Sequence, residues 1–260
     1  MKKTALLICT LPLLSACATS PLGRSQLILM PDTDVNAMGV QAFTQMKQKQ
    51  PTSKNETENN FVNCVADALL KEVGGDWEVV IFEDKTLNAF ALPGNKIGVH
   101  TGLVNLVDNA DQLAAVIGHE IGHVQAHHGN ERMSQEMAVQ QSLSITQAIF
   151  APQSALGQTA MGALGLGAQY GIMLPYSRLH ESEADIIGLN LMAKAGFNPQ
   201  QSVNLWIKMG QASEGQKPPE FMSTHPASST RINDLEKNMP QALQTQQAAL
   251  AAGKRPECVK

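Results

Sequence analysis

The sequence has no excess of basic residues. Its 260 residues carry a formal net charge of -4, which offers no basic surface for nucleic acid and argues against such a partner. The hydrophobic fraction of 43% and the charged fraction of 16% are ordinary for a globular protein. One domain of moderate size, with or without tails, is therefore expected.

Long hydrophobic runs are missing as well. Residues 1–16, "MKKTALLICTLPLLSA", combine two lysines, a short apolar run and small residues. This order is typical of a secretory signal peptide, and the run is far shorter than the ~20 residues of a spanning helix. The junction "LSAC" resembles a bacterial lipobox. We therefore expect Cys17 to be lipidated; an ordinary signal followed by a coincidental cysteine is the alternative. Ala18, rather than Asp, after that cysteine predicts an anchor on the periplasmic side of the outer membrane.

Few cysteines remain for the folded part of the chain. Of four in total, Cys9 lies in the signal peptide and Cys17 in the anchor, which leaves Cys64 and Cys258. An oxidising periplasm favours a disulfide between them, and two free thiols are the alternative.

Charged residues and histidines are absent from residues 137–177, a stretch rich in Gly, Ala and Gln. Polar residues interrupt it too often for a convincing membrane span. We expect a helical hairpin that covers the active site, and a hairpin that dips into a membrane is the second interpretation.

The remaining pattern predicts an α+β fold that is mostly α. Residues 18–31 are expected to be a tether, and helices are expected near 33–48 and 56–73. Short β-rich runs follow, "WEVVIFED", "NAFALP" and "KIGVHTG", and helices dominate from Asn105 onward. We divide the chain into residues 1–16 (signal peptide), 17–54 (lipidated N-terminus, tether and first helix), 55–238 (main domain) and 239–260 (C-terminal helix and tail).

The segment "AVIGHEIGHVQAHHG" contains four histidines, and two of them have the spacing of a metal site. His119 and His123 are four residues apart, so a helix presents both on one face, with Glu120 beside them in H-E-x-x-H. Catalytic zinc takes three protein ligands and a water, and a glutamate placed in this way acts as the general base.

The third ligand does not follow the metzincin extension, since Ala126 and Gly129 stand where that motif needs Gly and His. A helix continuing through His127 would place that residue ~12 Å from His119 along the axis, too far to share one ion. His127 and His128 are therefore predicted to be polar helix-end residues.

A downstream helix supplies better candidates in "YSRLHESEADIIG". Glu181 and Asp185 are spaced to lie on one helical face. Glu181 is predicted to bind zinc, and Asp185 to hydrogen-bond the far nitrogen of a ligating histidine. Glu183 points to another face and His180 is expected to be a bystander.

These two stretches resemble the HtpX-type (CAAX-prenyl-protease-like) family of gluzincin zinc metallopeptidases. Two further stretches, "NAFALPGNKIGVHTGL" (88–103) and "STHPASSTRI" (223–232), match the family's other signatures. The likeness covers about residues 55–238 and implies a zincin-type domain, with a small β-sheet beside the H-E-x-x-H helix, that binds one Zn²⁺. Combined with the lipoprotein signal, it implies a role in quality control of outer-membrane proteins.

Family members carry a histidine near the zinc at the place of His225. The resemblance implies that His225 either caps the resting zinc or stabilises the oxyanion, while a plain turn histidine is the alternative. Residues Asn88, Ala89, Phe90 and Ala91 are expected to offer an edge to which an extended substrate adds as a strand, although Phe90 equally suits a core position.

Three function classes are compatible with these residues and motifs. The favoured one is a zinc metalloendopeptidase acting on misfolded or unassembled envelope polypeptides, with the outer-membrane assembly machinery as a possible partner. A lipoprotein chaperone with little proteolysis is the second. Hydrolysis of a non-protein amide, such as cell-wall peptide, has no supporting motif.

Overall fold

The computed structural model describes residues 17–150, 174–212, 221, 225–226 and 229–260. The strands in these ranges are β1 (Cys17–Thr19), β2 (Ser25–Leu27), β3 (Glu78–Phe82), β4 (Ala89–Leu92) and β5 (Lys96–His100). The helices are α1 (Asp32–Lys49), α2 (Glu56–Val73), α3 (Thr101–Leu106), α4 (Ala110–Gln125), α5 (His128–Phe150), α6 (Leu174–Lys194), α7 (Gln200–Ala212) and α8 (Ser229–Ala251). The predicted α+β class, mostly α, is confirmed.

Local capping defines the two helices that frame the core. The side chain of Asn55 accepts hydrogen bonds from the backbone N–H groups of Thr57 and Glu58 and so begins α2. Asn109 begins α4 in the same way, by accepting from the N–H of Gln112. Helix α4 is buried along most of its length, because α2, α6 and α7 surround it and the sheet covers one side.

The main sheet has the strand order β3-β5-β4. Strands β3 and β5 are parallel, while β4 runs antiparallel to β5 and forms an edge. Gly98 of β5 lies opposite Phe90 of β4, and a Cβ atom there would come within 2.2 Å of the Phe90 ring. The absence of a side chain at Gly98 therefore lets that ring lie flat across the sheet.

Backbone contact between α4 and α6 brings the two predicted halves of the metal site together. A Cβ atom on Gly188 would lie 2.7 Å from the backbone nitrogen of His119, and one on Gly122 would lie 2.8 Å from the carbonyl oxygen of Ala184. Only glycine allows such an approach, so these positions set the distance between the helices.

Residues 18–31 do not form the predicted tether. Strands β1 and β2 pair antiparallel as a short hairpin, and side chains from Ser20 onward contact the domain. The predicted boundary at 238/239 also lies inside α8, which runs without interruption through Pro240. Of the charge-free segment 137–177, residues 151–173 lie outside the described residues, and the part up to Phe150 is helix. No described helix combines the length and apolarity needed to cross a membrane.

The structure contains the predicted disulfide. Cys64 of α2 is bonded to Cys258 of the C-terminal tail, with 5.6 Å between their Cα atoms. The tail returns to the domain at other points as well, since the Lys254 ammonium is 2.8 Å from the Glu72 carboxylate.

Candidate active site

Helix α4 places His119, Glu120 and His123 as the H-E-x-x-H spacing predicts. The Nε2 atoms of the two histidines are 3.1 Å apart. His119 and Glu120 are buried, and His123 is half-buried. Burial lowers the pKa of His123 well below its ordinary value, so its imidazole is neutral, which is the form that binds a metal.

Glu181 reaches the same point from α6. Its carboxylate oxygens lie 3.4 Å from Nε2 of His119 and 3.4 Å from Nε2 of His123. Burial favours the neutral acid, but hydrogen bonds from the histidines outweigh it and hold the pKa of Glu181 far below its usual range. Glu181 is therefore an anion aimed at the space between the two imidazoles.

His225 adds a fourth donor from a loop before α8. Its Nδ1 atom is 3.2 Å from Nε2 of His119 and 3.0 Å from Oε2 of Glu181. The ring stacks on Phe221 with centroids 4.5 Å apart, and the His225 N–H donates to the Phe221 carbonyl. Packing thus fixes the histidine for which the family resemblance implied a role at the zinc or the oxyanion.

The four donors fit one zinc ion. They are the only group of at least three His, Cys, Asp or Glu residues, within the described ranges, whose ligand atoms converge for a metal: His119, His123, Glu181 and His225. Zinc bonds of 2.0–2.1 Å at tetrahedral angles separate neighbouring ligand atoms by about 3.3 Å. His119 lies 3.1 to 3.4 Å from the other three donors, and a carboxylate oxygen of Glu181 lies 3.4 Å from His123 and 3.0 Å from His225, all close to that edge length. One ligand atom from each of the four residues lies within 4.8 Å of the others.

Glu120 lies beside these donors. Its Oε2 atom accepts a hydrogen bond of 3.1 Å from the backbone N–H of Ala91 in β4. Its Oε1 atom is buried, accepts no hydrogen bond from the residues that the structure describes, and lies 3.6 Å from Nε2 of His225. Burial raises the pKa of Glu120, which moves the group toward the range in which a carboxylate serves as a general base near neutral pH.

Asp185 and Arg231 support His119 from behind. Oδ1 of Asp185 is 2.9 Å from Nδ1 of His119, as predicted, and Arg231 donates to both carboxylate oxygens at 2.6 and 2.7 Å. Burial lowers the pKa of His119, but Asp185 and Glu181 outweigh it and raise that pKa to about 9 in the metal-free protein. Zinc binding to this site therefore releases a proton.

Arg231 is a site residue that the sequence reasoning did not single out, although it lies in the "STHPASSTRI" stretch. It also donates to the carbonyls of His225 and Pro226 and lies 3.1 Å from Oε2 of Glu181. The available signal was an arginine six residues after a motif histidine. Such an arginine, if buried, requires carboxylates nearby, and Glu181 and Asp185 were already predicted to lie at the site.

His128 is not among the four metal donors, as expected, but it begins α5 instead of ending α4, and it is buried. His127 has a positive φ of 51° and an exposed side chain, and α4 stops at Gln125. The chain therefore turns before α5, and buried His128 places Nδ1 2.9 Å from Nδ1 of His123. Its Nε2 lies 3.1 Å from Glu183, which the sequence had set aside.

Glu183 belongs to a buried polar cluster behind His123. Burial raises its pKa, but hydrogen bonds from His128, Ser20 and Arg24 outweigh that effect and lower the value to about 2. His180, predicted to be a bystander, is also buried, with Nε2 3.0 Å from Glu131 of α5. None of these groups is among the four metal donors, but His128 contacts one of them, His123.

A cavity of about 740 Å³ opens in front of the site. Phe90 and Ala91 of the predicted substrate edge line it, together with Glu120, His123 and residues of α5. Asn88 precedes β4 and accepts from the His100 N–H through its carbonyl, and the side chain of Ala89 is buried in the core. Only the second half of the predicted stretch therefore faces the cavity.

Two histidines from H-E-x-x-H on one helix and a glutamate from another define a gluzincin-type zinc metallopeptidase. The chain belongs to peptidase family M48, whose model matches residues 51–239. The family inferred from four short motifs is confirmed, and so are the enzyme class and the zinc cofactor.

The chain is similar to mitochondrial metalloendopeptidases and to bacterial beta-barrel assembly-enhancing proteases. The mitochondrial metalloendopeptidase OMA1 of Schizosaccharomyces pombe is 38% identical over 64% of this chain and 48% of the relative. The beta-barrel assembly-enhancing protease of Yersinia pestis is 30% identical over 76% of this chain and 42% of the relative. Its counterpart from Escherichia coli is 28% identical over 86% of this chain and 46% of the relative. The chain thus spans about half the length of the curated relatives it matches.

Proposed function

We propose that this protein is a zinc endopeptidase, lipid-anchored to the periplasmic face of the outer membrane, that cleaves misfolded or unassembled envelope proteins. The observation that carries the catalytic part is the buried Oε1 of Glu120 beside four converging zinc donors. The name of the beta-barrel assembly-enhancing relatives supports the envelope role. The signal sequence and the "LSAC" junction at Cys17 support the anchor.

His119, His123 and Glu181 would hold the zinc, with His225 as the fourth donor in the form seen here. A zinc ion held by these residues would supply Lewis acidity, which acidifies a bound water and polarises a carbonyl. Oε1 of Glu120 would take the proton from the attacking water and deliver it to the leaving amine. Before substrate binds, the Ala91 N–H donates to Oε2 of this glutamate. Asp185 keeps the proton of His119 on Nδ1, so that Nε2 faces the metal.

The substrate would lie along β4. The Ala91 N–H points away from β5 and into the site, so this edge offers backbone groups to an extended peptide. Backbone pairing reads little side-chain identity, and this tolerance suits unfolded polypeptides of many sequences. Outer-membrane proteins that have failed to assemble, and the machinery that assembles them, are the substrates and partner that we propose.

A chaperone with gated proteolysis is the second candidate, and one observation favours it. Nδ1 of His225 lies among the zinc donors, where the water of a catalytic site would bind. A protein held in that state binds its clients more often than it cuts them.

Glu120→Gln separates the two candidates, because it removes the base and leaves every zinc donor in place. We expect peptide cleavage to fall by about 10²- to 10⁴-fold, the usual contribution of a general base, with zinc content unchanged. Cleavage of an unfolded outer-membrane protein and zinc per chain are the measurements. A variant that still clears misfolded outer-membrane proteins from cells would favour the chaperone.

Membrane fractionation tests the location. Mature protein labelled with a fatty acid should appear in the outer-membrane fraction, and Cys17→Ser should abolish both the label and the attachment. Recovery of the Cys17→Ser form in the same fraction would contradict the anchor.

A further inference from the structure

The N-terminal hairpin, residues Cys17–Leu27, docks on two buried acids behind the metal site. The guanidinium of Arg24 donates to both oxygens of Glu131 at 2.6 Å and, through Nε, to Glu183 at 2.9 Å. Ser20 donates to the other oxygen of Glu183. These contacts join residues more than 100 positions apart, so the hairpin connects α5 with α6.

Hydrogen bonds lead from this guanidinium to a zinc ligand. A neutral His123 that gives Nε2 to the metal carries its proton on Nδ1, and that N–H donates to Nδ1 of His128 over 2.9 Å. His128 must then carry its own proton on Nε2, which donates to the Glu183 carboxylate over 3.1 Å. Arg24 and Ser20 hold that carboxylate. In this series of hydrogen bonds, the proton position on His123 determines the proton position on His128.

The two zinc-binding histidines are thus supported in parallel ways. His119 donates to Asp185, which a buried arginine of α8 holds with two hydrogen bonds. His123 donates to His128, whose carboxylate partner is held by Arg24. The first arginine belongs to the matched catalytic domain, at residues 51–239, and the second lies outside it in the N-terminal hairpin.

Gln26 attaches the hairpin to the C-terminal end of α4, close to His123. Its Nε2 donates to the carbonyl of Ala126 at 2.6 Å and to Glu131 at 2.8 Å. Ala126 caps the end of α4, three residues after His123. Glu131 is fully buried in its side chain and pairs with Arg24 and His180. Losing Arg24 would leave buried carboxylates without their guanidinium partner, which is costly.

We propose that the hairpin is a positioning element for the zinc ligand His123, acting from Arg24 through Glu183 and His128. Retention of zinc then depends on a docked N-terminus. This inference rests on the proposed zinc site but concerns metal binding rather than peptide cleavage. It assigns a role to His128, Glu183 and Arg24, none of which is a metal donor; of the three, His128 also lines the cavity in front of the site.

The zinc dissociation constant of the mature full-length protein tests this proposal, measured by competition with a chromogenic chelator. Substitutions behind a metal ligand usually cost 10- to 100-fold in affinity. We expect Arg24→Gln and His128→Leu to weaken zinc binding by about 10- to 100-fold, and to change the d–d spectrum of the Co²⁺-substituted protein. A purely structural role would lower stability without altering that spectrum.

Two matched variants sharpen the test. His128→Asn places a carbonyl oxygen near the original Nδ1, so it keeps the acceptor for His123 and should recover much of the affinity that His128→Leu loses. Lys254→Gln removes an exposed ion pair with Glu72, far from the site, and should leave zinc affinity unchanged. If Arg24→Gln fails to fold by circular dichroism, Arg24→Lys replaces it, because lysine keeps the charge but cannot bridge both carboxylates.

Wild-type zinc affinity and Co²⁺ spectrum in Arg24→Gln, or in Arg24→Lys should that variant be needed, would overturn the proposal. So would equal affinities of His128→Leu and His128→Asn. Failure of the proposed function has a different signature, since a wild-type protein that binds zinc but cuts no polypeptide would refute the peptidase and leave this inference standing.

Discussion

If zinc binds as proposed, the loop histidine His225 would compete with water for the fourth zinc position that catalysis needs. Its Nδ1 lies 3.2 Å from Nε2 of His119, and its Nε2 lies 3.6 Å from the free oxygen of Glu120. One imidazole therefore contacts the zinc donors and the base together. This geometry favours the capping interpretation over the oxyanion one, because an oxyanion-stabilising donor would leave the metal position open.

Removing this imidazole is expected to speed cleavage. In His225→Ala the peptidase no longer divides its population between capped and open forms, so the rate rises by the inverse of the open fraction. The gain is about tenfold for a cap favoured by 1.4 kcal/mol. Steady-state cleavage of an unstructured peptide at fixed zinc measures it. A fall of about 10²-fold would instead identify His225 as an oxyanion donor.

Residue spacing placed His119 and His123 on one helical face correctly because helical periodicity is local. The i, i+4 spacing of His119 and His123 requires only that one helix form, and it did. The burial of His128 against His123 was missed for the same reason. Periodicity assumed that the helix continued, whereas the left-handed conformation at His127 turned the chain and buried the next side chain. The burial of His128 depends on the conformation of one residue, His127, which the periodicity of the sequence does not reveal.

Among the elements, the contact between α4 and α6 controls the geometry of the metal site. His119 and His123 lie on one helix and Glu181 on the other, so their separation follows the spacing of the two backbones. Gly188 allows the closest approach, where a Cβ atom would meet the His119 nitrogen at 2.7 Å. Backbone atoms cannot move aside as a flexible side chain does.

Gly188→Ala is expected to separate the helices. Overpacking of this kind costs about 1–3 kcal/mol, more than the ~1 kcal/mol that alanine gains over glycine within a helix. We expect a lower free energy of unfolding and weaker zinc binding, measured by denaturant titration and chelator competition.

Gly210 of α7 provides the control for this substitution, since nothing lies within 4 Å of a Cβ atom placed there. Gly210→Ala should leave zinc binding unchanged and keep or raise stability. Equal effects of the two substitutions would show that helix spacing does not govern the site.

The N-terminal hairpin is the element that the sequence failed to predict, since a tether was expected there. Helices of 18 residues, such as α1 and α2, carry several turns of apolar periodicity and were located to within about a residue. Strands β1 and β2 have three residues each, too few to show any period. What holds them is the pairing of Arg24 with Glu131 and Glu183, which depends on the tertiary fold.

At the scale of the whole molecule, the disulfide connects two distant parts of the chain. Cys64 and Cys258 are separated by 194 positions, and the bond fixes the tail beyond α8 against α2. The tail also packs over the end of α6, where the Lys254 carbonyl meets Gly196. Closing so long a loop restricts the unfolded chain and stabilises the native state by roughly 5 kcal/mol in the chain-entropy model.

The double variant Cys64→Ala/Cys258→Ala is expected to lose about 2–5 kcal/mol of unfolding free energy. Denaturant unfolding of the zinc-loaded protein measures this loss. Reduction of the wild type with a phosphine reductant, which unlike a dithiol does not chelate zinc strongly, should lower its stability similarly, and the double variant should not respond to the reductant. Unchanged stability on reduction would mean that packing, without the disulfide, is enough to keep the C-terminal tail on the domain.

The hydrogen bond from Ala91 to Glu120 has a consequence for what can start the reaction. That N–H serves one acceptor at a time, and here the catalytic carboxylate takes it. A peptide carbonyl that pairs with Ala91 must first displace the carboxylate, which leaves both of its oxygens free to turn toward the scissile bond. Binding of an extended peptide along β4 would thereby release Glu120 to act as the base. A small amide too short to reach this strand would leave Glu120 hydrogen-bonded to Ala91.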